Sequence, residues 1–263
     1  FTVSYYTGNL TAAIFSAMLT GGFLSLVHAF LSITMRAQQV VSGLSITLFG
    51  AGMASFLGQS LGPASNNNYL IGMTAARIKT FAIPLLSDIP VIGAVFRQDP
   101  LTYIVLLIIP LSWFFMYKTK YGLSLRAVGE NPQTADAMGR NVGRVRYIYT
   151  IFGGMMAGIG GAHLSLSYTP GWSDNITGGR GWIVIALVIF SLWNPSRAIW
   201  GAVLFGGINA VQFRLQASGT EIPSTLLNML PYLFTIAVLI IITVWENRKG
   251  TAGSPAALGT PYL

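Results

Sequence analysis

Two ionisable side chains, His28 and His163, lie deep inside long apolar runs of this sequence. A ring nitrogen in hydrocarbon is costly without a partner, so each histidine either bonds one helix to another or meets a passing solute. Catalysis finds little footing. The 7 acids are scattered over separate loops, and no HExxH, CxxC or GxSxG pattern occurs. With no cysteine there is no thiolate metal site and no disulfide framework. No GxxxxGK[ST] phosphate loop is present either, so any ATP is expected on a different polypeptide. What remains is recognition of uncharged groups. Ser42, Ser45, Asn209 and Gln212 set hydroxyls and amides within uncharged apolar runs. Such a lining suits a neutral solute carrying hydroxyls or amides better than a carboxylate or a metal ion, and these four are the expected path residues.

A second kind of chemistry lies between Tyr117 and Arg146, a polar interruption that holds Lys118, Lys120, Arg126, Arg140, Arg144 and Arg146. Within it Asn131 can cap a helix, Pro132 suits its first position, and Gly139 can close it in a left-handed conformation. That spacing predicts a helix over Pro132 to Met138. Two turns are marginal in water and need a surface to pack on. Ala135 and Met138 lie three apart and would share an apolar docking face, rimmed by Glu130, Asp136, Arg140 and Arg144. The competing reading is an amphipathic helix lying on lipid, favoured by its basic flanks. Two turns with one Met bury little apolar area for that purpose.

The elements that position these groups are membrane spans. Of 263 residues, 53% are hydrophobic and 8% charged, against roughly 25% charged in soluble domains. Apolar stretches predict spans at Leu10 to Thr34, Gln38 to Leu61, Leu101 to Met116, Tyr147 to Tyr168 and Leu226 to Val244. Two shorter runs, Gly181 to Trp193 and Ala198 to Phe213, suit short, tilted or half helices. Glycines in Gln38 to Leu61 allow bending, and Gly154 and Gly158 form a GxxxG pair that predicts close helix packing. The net charge of +8 sits in loops between apolar runs, which fits membrane topology rather than nucleic-acid binding. If the basic loop and the tail with Arg248 and Lys249 share the cytoplasmic side, four intervening spans satisfy the parity. The tail beyond, rich in Gly, Pro and Ala, is expected to be mobile. Asn175, Arg180 and Trp182 then fall at the outer edge, where Arg180 is either an interfacial anchor or a contact for a docking protein or solute. No basic region precedes an apolar core at the start, so no signal peptide is read.

The run GLSLRAVGENPQTADAMGRNVGRVRYIYTIFGGMMAGIGGAHLSL, followed by NITGGRGWIVIALVIFSLWNP and LLNMLPYLFTIAVL, resembles the permease subunits of bacterial ABC importers. The likeness is to the branched-chain amino acid, sugar and nucleoside group, most closely to the nucleoside (simple-sugar-like) permeases. It covers almost the whole chain. It implies an all-α, polytopic helical bundle of the type II importer kind in the bacterial cytoplasmic membrane, with further spans expected before Phe1. One transmembrane domain would cover 1–263, with a cytoplasmic coupling loop at 118–146 and a cytoplasmic tail at 246–263. The resemblance makes Glu130, Asn131, Pro132, Ala135, Asp136, Met138, Gly139 and Arg140 the coupling segment that docks on an ABC ATPase subunit, which would hold ATP and magnesium. It further implies a second permease, a paralogue or another copy, and a substrate-binding lipoprotein docking near Asn175, Arg180 and Trp182. The implied cargo is a nucleoside. The alternatives are a ribose-like sugar and, as a different class, an ion-driven secondary transporter, which would want a carboxylate within a span.

Overall fold

The computed structural model describes residues 1–59, 77–82, 84, 87, 93, 96–219, 222–249 and 253–262. The last residues of the span expected from Gln38 to Leu61 lie outside the described residues. Ten helices are described: α1 (Thr2–Thr7), α2 (Leu10–Ala29), α3 (Gln39–Gln59), α4 (Pro100–Lys118), α5 (Lys120–Glu130), α6 (Pro132–Ala137), α7 (Val142–His163), α8 (Arg180–Phe190), α9 (Pro195–Ala217) and α10 (Ser224–Lys249). Two π-turns, Phe30–Thr34 and Leu164–Tyr168, extend α2 and α7. A two-residue antiparallel pair, β1 (Phe81–Ala82) and β2 (Arg97–Gln98), is the one departure from helix among the described elements.

Five helical stretches are long and apolar enough to cross a membrane: Leu10–Thr34, Gln39–Gln59, Pro100–Lys118, Pro195–Ala217 and Ser224–Val244. Most of their large apolar side chains face outward, as for Val40 at 76% and Phe56 at 70% exposure in α3, which in hydrocarbon is the favourable arrangement. α3 runs as one unbroken α-helix through its glycines, without the local unwinding that they allow. α8, with 11 residues, is about 16 Å long and falls short of a roughly 30 Å hydrocarbon core. α9 is a full-length helix of 23 residues rather than a short run. Arg197 and Arg214, which mark the ends of the apolar run, are simply taken into its first and last turns, where long side chains reach toward water.

The chain divides into two compact units. One contains Phe1–Val105, Pro132–Gly178 and Gly259–Leu263, the other Leu106–Asn131 and Gly179–Leu258. In the first, α2 and α7 form by far the most extensive helix pair. They run antiparallel, and small residues meet at four-residue steps: Ala17 with Gly158, Gly21 with Gly154, and Ser25 with Thr150. A β-carbon on Gly158 would lie 2.2 Å from the Ala17 carbonyl oxygen, and one on Gly21 would lie 2.2 Å from that of Gly154. Without hydrophobic driving force between helices in lipid, such close backbone approach supplies the dispersion contacts that hold the pair. Ser25 adds a hydrogen bond of 2.6 Å to the Thr150 carbonyl. Ala13, Ala162 and Leu166 continue this seam as a buried core. In the second unit Ile183 and Ala186 of α8 and Phe205 of α9 form the core, with Phe205 edge-on to Phe234 of α10 at 5.4 Å.

Gly158→Leu is expected to overpack the α2–α7 seam at a cost of about 1–3 kcal/mol. Gly160→Leu should be tolerated, because a β-carbon there meets nothing within 4 Å. Melting temperatures of the two variants in detergent check this, and equal stability would contradict the packing account.

Candidate functional site

The segment expected to couple is built by a proline and two caps. Asn131 is extended (φ −145°, ψ 94°), as the residue before a proline must be, so α5 ends there and Pro132 starts α6. Gly139 adopts φ +77°, and around it the amide of Arg140 donates to the Ala135 carbonyl at 3.0 Å and that of Gly139 to Asp136 at 2.8 Å. The left-handed glycine thus closes α6 as the sequence indicates, one residue earlier than expected. Asn141 then caps α7, its side chain accepting from the Arg144 amide at 2.9 Å. The shared docking face of Ala135 and Met138 is not formed. Ala135 is buried within the chain at 4% exposure, whereas Met138 stands out at 78%. A six-residue helix has little intrinsic stability and must bury one side chain against its own protein. Glu130, Asn131, Asp136, Arg140 and Arg144 are all exposed, and Pro132 is half-buried.

The tail is seated on this segment rather than mobile. In the first unit, Arg146 of α7 donates to the Thr260 carbonyl at 3.1 Å and its guanidinium lies 6.0 Å from the Tyr262 ring centre. The Tyr262 hydroxyl donates to Asp136 of α6, and this bond pushes its pKa up. In the second unit, the amide of Ala257 donates to the Gly129 carbonyl at 3.0 Å and that of Ala256 to Glu130 Oε2 at 3.4 Å. Arg126, half-buried in α5, lays its guanidinium 4.8 Å from the centre of the Tyr117 ring.

Both histidines have partners. His28 Nδ1 lies 3.0 Å from Ser42 Oγ, joining α2 to α3. His163 Nε2 lies 2.9 Å from Asp99 Oδ2. Asp99 also caps α4, accepting from the Thr102 amide at 3.0 Å and its hydroxyl at 2.8 Å. Burial pulls the Asp99 carboxyl upward, but the hydrogen bonds from His163 and Thr102 outweigh it and bring its pKa to about 2. The sequence reading does not single out Asp99, although an acid directly before a proline is a signal for a helix start; its tie to His163 has no sequence signal.

The four expected path residues divide between the units. Ser42 is buried against His28, while Ser45 is exposed and donates back to the Val41 carbonyl. In the second unit Asn209 donates to the Phe205 carbonyl at 2.9 Å, and Gln212, buried, donates to Asn228 Oδ1 at 2.8 Å. The expected outer-edge residues divide too. Asn175, with φ 56°, sits in the turn after Asp174, whose carboxylate accepts from Ser55 at 2.7 Å. Arg180 opens α8 after two left-handed glycines, and Trp182 is 59% exposed. Among the described residues no group of three or more His, Cys, Asp or Glu side chains could hold a metal ion.

With this geometry in place, the comparisons with known proteins are specific. Residues 1–243 match the family described as branched-chain amino acid transport system / permease component. The chain is 40% identical to the putative glucose ABC transporter permease protein TsgC13 of Haloferax volcanii, over 100% of this chain and 84% of that one. It is 35% identical to the nucleoside ABC transporter permease protein NupC of Lactococcus lactis, covering 97% and 79%. Identity to the guanosine ABC transporter permease protein NupQ of Bacillus subtilis is 34%, covering 95% and 77%. No solved structure matches the chain.

The lowered Asp99 pKa sets a pH window. A carboxyl held at about 2 rather than 3.8 contributes stability that is present above about pH 4 and lost as pH falls toward 2. Melting temperature should decline through that window, and Asp99→Asn should be less stable at neutral pH and lack that part of the acid dependence. An identical acid limb in the variant would contradict the assignment.

Proposed function

We propose that this chain, which belongs to the family of branched-chain amino acid transport system permease components, carries a nucleoside across the cytoplasmic membrane. As a permease it is the membrane-spanning part of an ABC transporter, not a catalytic subunit, and a separate ATPase subunit hydrolyses the ATP. Two relatives similar over nearly the whole chain are nucleoside and guanosine permeases, and this is the observation that carries the cargo reading. The glucose permease relative favours a sugar as the second reading. Both are neutral solutes rich in hydroxyls, which suits spans whose polar groups are serines, amides and histidines.

In this reading substrate arrives on an extracytoplasmic binding lipoprotein, at the edge that includes Asn175, Arg180 and Trp182. It passes along a path supplied by this chain and a second permease, a related one or another copy. The ATPase, charged with ATP and magnesium, receives α6 and its flanks, Glu130 to Arg140, in a surface groove. Met138 is the apolar anchor, since it projects fully from a capped turn. Ala135 supports α6 from below, and Asp136, Arg140 and Arg144 form the polar rim. A closing motion of the ATPase subunits then moves α6 with α7, to which Gly139 and Asn141 join it through a short capped link.

Replacing Met138 with Asp should weaken binding of the ATPase subunit by about tenfold or more, as for a buried interface anchor, and reduce ATP-driven uptake in step. Its melting temperature should not change, because the side chain is exposed. Titration of purified ATPase against the reconstituted permease measures the first effect, and unaltered affinity and uptake would sink the coupling assignment.

A further inference from the structure

In the first unit, α2, α3 and α7 enclose a cleft of about 290 Å³ walled by Gly21, Ser25, His28, Gly43, Gly154 and Ala157. We propose that this cleft is a station on the solute path and that His28 is its polar contact, an inference that rests on the importer reading above. His28 lies six residues before the end of the apolar stretch Leu10–Thr34, so about 9 Å inside it along the helix. Its Nδ1 is engaged by Ser42, and among the described residues the ring makes no other hydrogen bond. Nε2 is therefore a hydrogen-bonding atom within that apolar stretch that the described residues leave open. Hydrocarbon in that place would leave it unsatisfied at a cost of several kcal/mol, so a polar occupant belongs there.

The neighbouring polar group is already used, since the Ser25 hydroxyl is bound to the Thr150 carbonyl. Ser42, 5% exposed, serves to fix the imidazole. The single open contact is then Nε2, which donates or accepts according to tautomer. Three glycines leave the walls flat, and a β-carbon on Gly43 would meet nothing within 4 Å, so the α3 wall opens on free space. No charged side chain lines the cleft, and a phosphate or carboxylate would find nothing to balance it. The occupant that fits is a neutral ring compound with hydroxyl or amide groups: a sugar or a nucleoside rather than an amino acid or a phosphorylated sugar.

The test uses the assembled transporter, with its ATPase and binding protein, in proteoliposomes supplied with labelled guanosine or labelled glucose. Gly43→Leu adds a side chain at the α3 wall of the cleft, starting from a β-carbon that meets nothing within 4 Å. It should lower maximal uptake at least tenfold while leaving subunit assembly and melting temperature as in the unaltered complex. His28→Ala should lower maximal uptake by up to about tenfold, the scale of one hydrogen bond, with ATP hydrolysis still stimulated by loaded binding protein. His28→Gln, which keeps a polar group, should restore part of the rate. Uptake by Gly43→Leu and His28→Ala at the unaltered rate would overturn the cleft assignment alone. So would failure of Gly43→Leu to assemble with the second permease, which would make the cleft a seat for that subunit. Absence of uptake of either solute by the unaltered complex would instead overturn the importer reading.

Discussion

Backbone contact between α2 and α7 is the constraint from which the described architecture of the first unit follows. Neither helix has a strongly one-sided apolar pattern, and in lipid none is needed, because their association relies on closeness. Glycine at positions 21, 154 and 158 removes the side chains that would hold the backbones apart. Once they touch, Ser25 can reach the Thr150 carbonyl, and the hydroxyls of Thr34 and Tyr147 meet at the far end of the pair. The same glycines leave room beside the seam, so tight packing and the adjacent cleft have one origin. The first turn of α7, which bears Arg144 and Arg146, is held by this packing and in turn supports the segment from α6 to the tail.

Much of this was legible because it is local. The GxxxG pair of Gly154 and Gly158, the Pro132 start and the Gly139 stop are consequences of single-residue backbone preferences, and they appear as expected except that α6 ends one residue early. What could not be read was anything made by backbone atoms at long range. The tail has no apolar periodicity, and its docking relies on carbonyls and amides, at Thr260, Ala257 and Gly129, whose chemistry is the same for any residue. The inward turn of Ala135 was hidden for another reason: spacing says that two residues share a helix face, not which way that face turns. Charge misled at Arg197 and Arg214, where the apolar run stops but the helix does not. His28 and His163 were correctly marked as needing partners, and their partners, Ser42 and Asp99, come from other elements.

The seated tail changes how the coupling segment can be understood. α6 is too short to be stable by itself, yet it is held on several sides: Ala135 packs inward, Gly139 and Asn141 fix its exit, and Tyr262 grips Asp136. The short helix is thus braced, with Met138 projecting from it. The contacts of Glu130 and Gly129 with the tail secure the end of α5 in the same manner within the other unit.

The two π-turns acquire meaning from the antiparallel seam between them. Phe30–Thr34 follows α2 and Leu164–Tyr168 follows α7, so the antiparallel, glycine-packed pair has one wide turn at each of its ends. A π-turn holds its backbone by the less favourable i→i+5 bonding, and returning it to α geometry shifts the pairing by one residue. Such a step rotates what lies beyond by about 100° about the axis, at 3.6 residues per turn. Either end of the pair can thus take up a rotation of that size while the glycines between them stay in contact.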